Sequence, residues 1–346
     1  MKLSNLEQLA EPITILAIES SCDDTSAAVL KNYKVLSNVV ATQKVHKKFG
    51  GVVPELASRE HQKLITPIVN EAIIKSGINK NQINSVAFTR GPGLLGSLLV
   101  GTSFAKSLSI GLDVPLIEIN HMQAHILSIF IESDQKPPNF PFLALTVSGG
   151  HTQLVIVKNY FQMEEIGRTL DDAAGEAFDK SGKVIGLDYP SGPIIDKLSK
   201  KGDPHAFKFT KPKVEGLNFS FSGLKTGFMN FIKKESLANE DFIKNRLNDI
   251  CASIQNTIID ILIEKIVSAV EITQIKDIVI CGGVSANSML RKKIISLGRD
   301  NKWKVYFPEI HYSTDNAAMI AVAGYLKYKE SITSDLSCSA NARYKI

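Results

Sequence analysis

Residues 13–30 read ITILAIESSCDDTSAAVL, and residues 142–157 read FLALTVSGGHTQLVIV. Each is an apolar run, a short polar turn and a second apolar run. Apolar runs of this length bounded by turn residues read as buried strands. In the first unit Ile13–Glu19 is a strand, Ser20-Ser21-Cys22-Asp23-Asp24-Thr25 the turn and Ser26–Leu30 the return. In the second, Phe142–Val147 and Thr152–Val157 flank the turn Ser148-Gly149-Gly150-His151. One chain carrying the same unit twice predicts a duplicated architecture.

Working outward, Lys34–Ala41 reads as a third strand and Pro54–Ser76 as a helix, with Pro54 in its first turn and Gly77 as its C-cap. Val86–Thr89 is a strand leading through a Gly-rich turn into a small-residue helix that ends at Gly111. Pro115–Ile119 is a strand, His121–Phe130 a helix, and Glu132–Pro141, with Pro137 and Pro138, a linker. Beyond the second unit, helices are predicted at Asp172–Ile185, Pro193–Lys200 and Phe242–Ile272. Strand Asp277–Ile280 runs into Cys281-Gly282-Gly283 and a helix from Ser285. Trp303–Phe307 is a strand and Thr314–Lys329 the closing helix. Two βββαβα-like halves predict an α/β fold of two lobes with mixed sheets flanked by helices, as in actin, Hsp70 and the sugar kinases. The expected lobes are residues 12–131 with 316–346, and residues 140–315 carrying a nucleotide pocket, with 1–11 as an extension and the active site in the cleft between lobes.

A chain of 346 residues suits two lobes of ordinary size. With 44% hydrophobic and 22% charged residues it has a globular balance. No uninterrupted apolar run approaches the roughly 18 residues that span a bilayer. Met1–Pro12 carries Glu7 and Glu11 and lacks the apolar core of a signal peptide. These features predict a cytoplasmic protein without a membrane partner. The four cysteines form no C-x-x-C pair, which argues against a disulfide framework or a cysteine zinc site. A net charge of +5 suits a polyanionic partner without requiring one.

His121 and His125 stand four apart, which puts both imidazoles on one helical face. That spacing suits a shared metal ion, and equally two histidines lining a cleft. The intervening Met122-Gln123-Ala124 lacks the Glu of H-E-x-x-H peptidases. Asp315 opens the last helix, where a carboxylate also complements the helix dipole. Three glycine turns follow strands: Gly91–Gly96, Ser148–His151 and Cys281–Gly283. The first matches G-x-G-x-x-G but has no P-loop Lys, and helix packing is its expected role. The other two suit a phosphate approached by backbone N–H groups. Ala173, Ala174 and Gly175 leave room for a ligand against their helix, with Asp179 offered to a ribose hydroxyl. Asn218–Lys225 interleaves Phe219 and Phe221 with polar groups after Lys208, Lys211 and Lys213. That pattern reads either as RNA contact by stacking and charge or as a buried strand with a basic approach.

In order along the chain, IESSCDDTSAAV from Ile18, GGVVPELASREH from Gly50, TRGPGLLGSLLVG from Thr89, NHMQAH from Asn120 and TVSGGHTQL from Thr146 closely resemble one family. DDAAGEAFDK from Asp171, LDYPSGP from Leu187, NFSFSGLKT from Asn218, CGGVSAN from Cys281 and STDNAAM from Ser313 extend the match to residue 319. The family is that of the tRNA threonylcarbamoyladenosine transferases of TsaD type, formerly called O-sialoglycoprotein endopeptidases. Departures are small: Asp24 stands where Glu is usual, and Ser191 where Gly is common.

The resemblance implies an actin-like fold and one divalent metal, iron(II) by preference with zinc or magnesium as alternatives, on His121, His125 and Asp315. It implies that Val147, Ser148, Gly149, Gly150 and His151 surround the substrate, with Asp179, Gly192, Asp196 and Asn287 completing the pocket. It further implies transfer of a threonylcarbamoyl group from threonylcarbamoyl-adenylate to the exocyclic amine of adenosine-37 in tRNAs reading ANN codons, releasing AMP. Such an acyl-adenylate is already activated, so positioning and charge stabilisation suffice and no nucleophilic Ser or Cys is needed. His151 is the one candidate proton acceptor. The implied partners are tRNA, a non-catalytic paralogue of TsaB type and a small ATPase of TsaE type, or a second copy if the protein is organellar. Helices 54–76 and 96–111 are the expected interface. A metallopeptidase, an ATP-dependent kinase or chaperone on the same fold, and a dinucleotide dehydrogenase are the alternatives. Glycoprotein cleavage, steady ATP turnover and stabilisation by NAD would respectively distinguish them.

Overall fold

Both strand–turn–strand units are antiparallel hairpins in the computed structural model, which describes residues 11–346; the expected extension lies outside the described residues up to residue 10. In the first, β1 (Thr14–Glu19) pairs with β2 (Asp24–Lys31), Thr14 opposite Lys31 and Glu19 opposite Ser26. The return strand therefore starts at Asp24, two residues before the turn chemistry predicts. β3 (Lys34–Thr42) adds antiparallel to β2, and α1 (Pro54–Ser76) follows, closed by Gly77 at φ 71°. β4 (Ser85–Gly91), α2 (Leu95–Leu112) and β5 (Leu116–Asn120) complete a sheet of order β3-β2-β1-β4-β5, its last pairs parallel. The histidine helix α3 (His121–Leu127) is shorter than expected and ends in a 3-10 turn, Ser128–Phe130.

The second half repeats that order. β6 (Phe142–Val147), β7 (Thr152–Val157) and β8 (Met163–Arg168) are antiparallel, followed by α4 (Ala174–Val184), α5 (Gly192–Ser199), α6 (Ser222–Ala238) and α7 (Phe242–Thr273). β9 (Asp277–Cys281), α8 (Ser288–Asn301) and β10 (Lys304–Tyr306) give the order β10-β9-β6-β7-β8. Reversed, this matches the first sheet strand for strand. β8 and α6 were not predicted: β8 carries Glu164 and Glu165 exposed on an edge, so its apolar signal is weak. The closing helix α9 (Ala317–Lys329) returns to the first sheet.

The chain divides into two units. Unit 1 holds the residues up to Gln43, Val53–Asp134 and Asp315–Lys345, and unit 2 holds Lys44–Val52 and Gln135–Thr314. In unit 1 every residue of β1 is buried, because helices cover both faces of the sheet. Leu16 and Ile18 belong to the core shared with Ile65, Val69 and Ala72 of α1, while Ile15, which points to the opposite face, meets Gly324 of α9. All ten residues Ala317–Leu326 are buried, as befits a helix that is apolar all round. α2 is long and apolar enough by composition to cross a membrane, although Ser97, Thr102, Lys106 and Ser109 interrupt its apolar run. It packs on α1 and β4, with Ser97, Leu98, Gly101, Thr102 and Ala105 buried.

Candidate active site

Asn120 ends β5 and caps α3, its Oδ1 accepting from the N–H groups of Met122 at 2.9 Å and Gln123 at 3.1 Å. The helix thus begins where the strand stops, and the first turn and a bit of α3 presents His121 and His125 together. Both rings are buried, packed edge to face with centroids 4.7 Å apart. On the other side Asn316 caps α9 through the N–H of Met319, and Ala317 donates its N–H to Ser26 Oγ on β2 at 2.9 Å. Those contacts hold Asp315 beside the histidines. His125 Nε2 lies 3.1 Å and His121 Nε2 3.5 Å from Asp315 Oδ1. One ligating atom from each of the three falls within 4.8 Å of the others. All three residues belong to unit 1.

Sequence reasoning missed Glu19. This fully buried carboxylate at the end of β1 lies 3.0 Å from His121 Nδ1 and accepts from Ser21 N–H at 2.5 Å and Thr89 Oγ1 at 2.6 Å. No local pattern marks it, because its burial depends on helices covering both faces of β1. Burial works against a charged His121 ring, but the carboxylates of Glu19 and Asp315 outweigh it and raise its pKa to about 10. Asp315 is held well below the usual carboxylate range: burial opposes this, and His121 and His125 overcome it. Glu19 is lowered in the same way, with burial opposed chiefly by His121. This describes the metal-free centre, and two imidazoles with a carboxylate fit a divalent ion. Nearby, burial raises the Asp24 carboxyl to about 7, despite its hydrogen bond with Thr42. Burial also raises the Cys22 thiol and brings those of Cys251 and Cys281 to about 12, so none is poised as a thiolate nucleophile.

In unit 2 the turn Ser148–His151 is gripped at close range. A Cβ on Gly175, in the first turn of α4, would meet Ser148 O at 2.5 Å and Gly149 Cα at 2.7 Å. Gly282, at φ 87°, leaves its missing Cβ 2.5 Å from Val147 O. Gly149 and Gly150 are exposed, and their N–H groups have no acceptor among the described residues. His151 donates its backbone N–H to Ser148 Oγ at 3.2 Å, and a cavity of about 400 Å³ beside it is lined by Gly150, His151, Arg168 and Leu170 among others. Asp179 accepts from Ser191 N–H at 2.7 Å, next to Gly192 at the start of α5. Asp196 accepts from the Ser288 hydroxyl at 2.8 Å, and Asn287 caps α8 while donating to Gln255 Oε1 at 2.7 Å. Asp179, Asp196 and Asn287 thus each hold backbone or helix ends in place, and Asp196 ties α5 to the start of α8.

The structure decides between the two readings of residues 218–225 in favour of the buried one. Phe219 and Phe221 are fully buried in the unit 2 core, so the stretch 218–225 offers no aromatic ring for a base to stack on. Lys211 pairs with Asp260 and Glu264, leaving Lys208 and Lys213 as the exposed cations of that run. The Gly91–Gly96 turn is a packing device: a Cβ on Gly93 would lie 2.4 Å from Ser21 O, and one on Gly91 1.8 Å from Asn341 O.

With this geometry established, known proteins can be compared. The family model for TsaD, tRNA N6-adenosine threonylcarbamoyltransferase, matches residues 34–322. A protein of that name from Christiangramia forsetii is 60% identical over 336 residues, covering 97% of this chain and 99% of its own. Another from Riemerella anatipestifer is 57% identical over 333 residues, covering 96% and 98%. Among solved structures, full-length HypF superposes with a TM-score of 0.61 at 15% identity over 93% of this chain, which spans 47% of that HypF chain. The ROK hexokinase from Thermus thermophilus gives 0.51 at 13% identity, covering 92% of this chain and all of its own. These two structural likenesses bear on the fold alone, and agree with the actin-like, sugar-kinase class expected from the repeat. The chain belongs to the tRNA N6-adenosine threonylcarbamoyltransferase family, whose members are acyltransferases that form threonylcarbamoyladenosine in tRNA.

Proposed function

We propose that this protein transfers the threonylcarbamoyl group of threonylcarbamoyl-adenylate to the exocyclic amine of adenosine-37, 3′ of the anticodon in tRNAs reading ANN codons, and works in the cytoplasm. The observation that carries this reading is the meeting of His121, His125 and Asp315, residues far apart in sequence, within 4.8 Å. In the reaction the amine nitrogen forms a bond to the carbamoyl carbon, the bond from that carbon to the phosphate oxygen breaks, and AMP leaves with the electron pair. The amine gives up one proton, for which His151 is the candidate acceptor. The exposed N–H groups of Gly149 and Gly150 suit a phosphate oxygen, which would place the adenylate against the turn that Gly175 and Gly282 allow the backbone to approach. Asp179, Gly192, Asp196 and Asn287 would frame the nucleotide.

His121, His125 and Asp315 would hold one divalent ion, iron(II) by preference and zinc or magnesium otherwise. Bound there, it would supply Lewis-acid stabilisation of developing negative charge. Exposed Leu95, Leu99 and Ile110 on α2 and Ile74 on α1 support an interface on these helices, with a non-catalytic paralogue or a second copy as occupant and a small ATPase as further partner. To test the assignment, unmodified tRNA is incubated with the protein, its paralogue, the ATPase, threonine, bicarbonate, ATP and an adenylate-forming enzyme. Nucleosides are then analysed by mass. Threonylcarbamoyladenosine at position 37 is the expected product; its absence from a fully reconstituted mixture would contradict the proposal.

A further inference from the structure

Glu19 has no exposed surface, yet both carboxylate oxygens are engaged. Oε1 accepts from Ser21 N–H at 2.5 Å, and Oε2 faces Thr89 Oγ1 at 2.6 Å and His121 Nδ1 at 3.0 Å. Burying a carboxylate is costly unless its oxygens are paired, so this arrangement is a built one. It also fixes a ring. With Nδ1–H donating to Glu19, the free lone pair of a neutral His121 lies on Nε2, the atom that faces Asp315. His125 provides the contrast: its Nδ1 is buried without a hydrogen-bond partner among the described residues.

We propose that Glu19 is the positioning residue of the metal centre: it holds His121 in the Nδ1–H tautomer and aims Nε2 at the ion. This rests on the reading of His121, His125 and Asp315 as ligands. Such outer carboxylates typically change metal affinity by about 10–100-fold. Glu19→Gln is the informative substitution because it keeps the shape. Ser21 N–H requires the amide oxygen, which turns the amide NH2 toward Thr89 and His121. The Thr89 hydroxyl can rotate to accept, but His121 Nδ1 must then accept too, and its proton moves to Nε2, where it blocks the ion.

The test uses the full chain and cobalt(II) alone, followed by its visible absorption, with melting temperatures of the metal-free proteins as the control for folding. Glu19→Gln is expected to weaken cobalt binding at least tenfold while the metal-free protein stays folded. In the zinc-loaded wild type, nitrogen-15 spectra of the histidine rings should show a hydrogen-bonded Nδ1–H on His121, and the variant should lack it. Thr89→Val removes one donor to the same oxygen and should weaken binding by a smaller factor, which serves if Glu19→Gln fails to fold. Cobalt affinity within twofold of wild type in the folded variants, with the Nδ1–H signal unchanged in any that bind zinc, overturns the proposal while leaving the ligand set standing. A wild-type protein that binds no cobalt overturns the ligand reading itself, and this inference with it.

Discussion

His125 Nε2 and Asp315 Oδ1 lie 3.1 Å apart although 190 residues separate them in the chain. The contact exists because two strand ends and two helix starts coincide: β5 delivers α3 at Asn120, and the N–H of Ala317 anchors α9 to Ser26 on β2. Neither histidine alone would require a metal. The pair facing a carboxylate, with a second buried carboxylate behind His121, makes the centre chemically specific.

The same two carboxylates predict how metal binding depends on pH. Burial works to lower the His121 pKa, but Glu19 and Asp315 raise it to about 10 in the metal-free protein. An ion on Nε2 must displace that proton. The apparent affinity should therefore fall about tenfold per pH unit from pH 8 to pH 7, one proton being bound for each ion lost. For folding, the sign is that of a raised histidine. Its contribution is fully present below the unfolded value of 6.5 and is lost as pH rises through about 10. Zinc titration calorimetry in buffers of differing ionisation enthalpy measures the proton release. Binding that is independent of pH between 7 and 8 would contradict this picture of the centre.

Gly175→Ala tests the pocket of unit 2. The added methyl would sit 2.5 Å from Ser148 O and 2.7 Å from Gly149 Cα, both backbone atoms of the turn, so the turn must move. Overpacking of this kind costs about 1–3 kcal/mol. AMP affinity measured by calorimetry is expected to fall at least tenfold, with metal content unchanged because the His121 centre belongs to unit 1. Wild-type AMP affinity in this variant would remove the turn from the nucleotide site.

For tRNA, Lys208 and Lys213 are exposed, whereas Lys211 is occupied by Asp260 and Glu264. If the two free lysines contact phosphates, K208E with K213E should reduce the slope of log affinity against log salt by about 1.4–1.8, at roughly 0.7–0.9 per contact. Filter binding at several salt concentrations measures the slope. An unchanged slope would place the RNA surface elsewhere.

How much of this was legible in the sequence follows from the range of each interaction. The hairpins of β1–β2 and β6–β7 are local, so their apolar runs and turn residues disclosed them. His121 and His125 share a helical face by spacing alone. Asp315 was reached only through the family resemblance, since no local pattern links residue 315 to residue 125. Glu19 was quoted within a motif and given no role, because its burial depends on helices covering both faces of β1. Phe219 and Phe221 mark the opposite limit: an aromatic–polar alternation reads the same whether its rings face RNA or a core, and the sequence leaves both readings open. Here α6 and the bond from Phe219 N–H to Arg168 O tie that segment inward.

The most direct test of the metal-centred account is single-turnover transfer by wild type, H121A, H125A and D315A, with metal content and melting temperature measured on the same samples. Starting from tRNA and preformed threonylcarbamoyl-adenylate removes any step that makes the adenylate. The account predicts that each substitution lowers metal content and slows transfer by at least about 100-fold, as loss of charge stabilisation at a transition state does, while the proteins stay folded at the assay temperature. Full metal content and wild-type transfer rates in all three variants would contradict it.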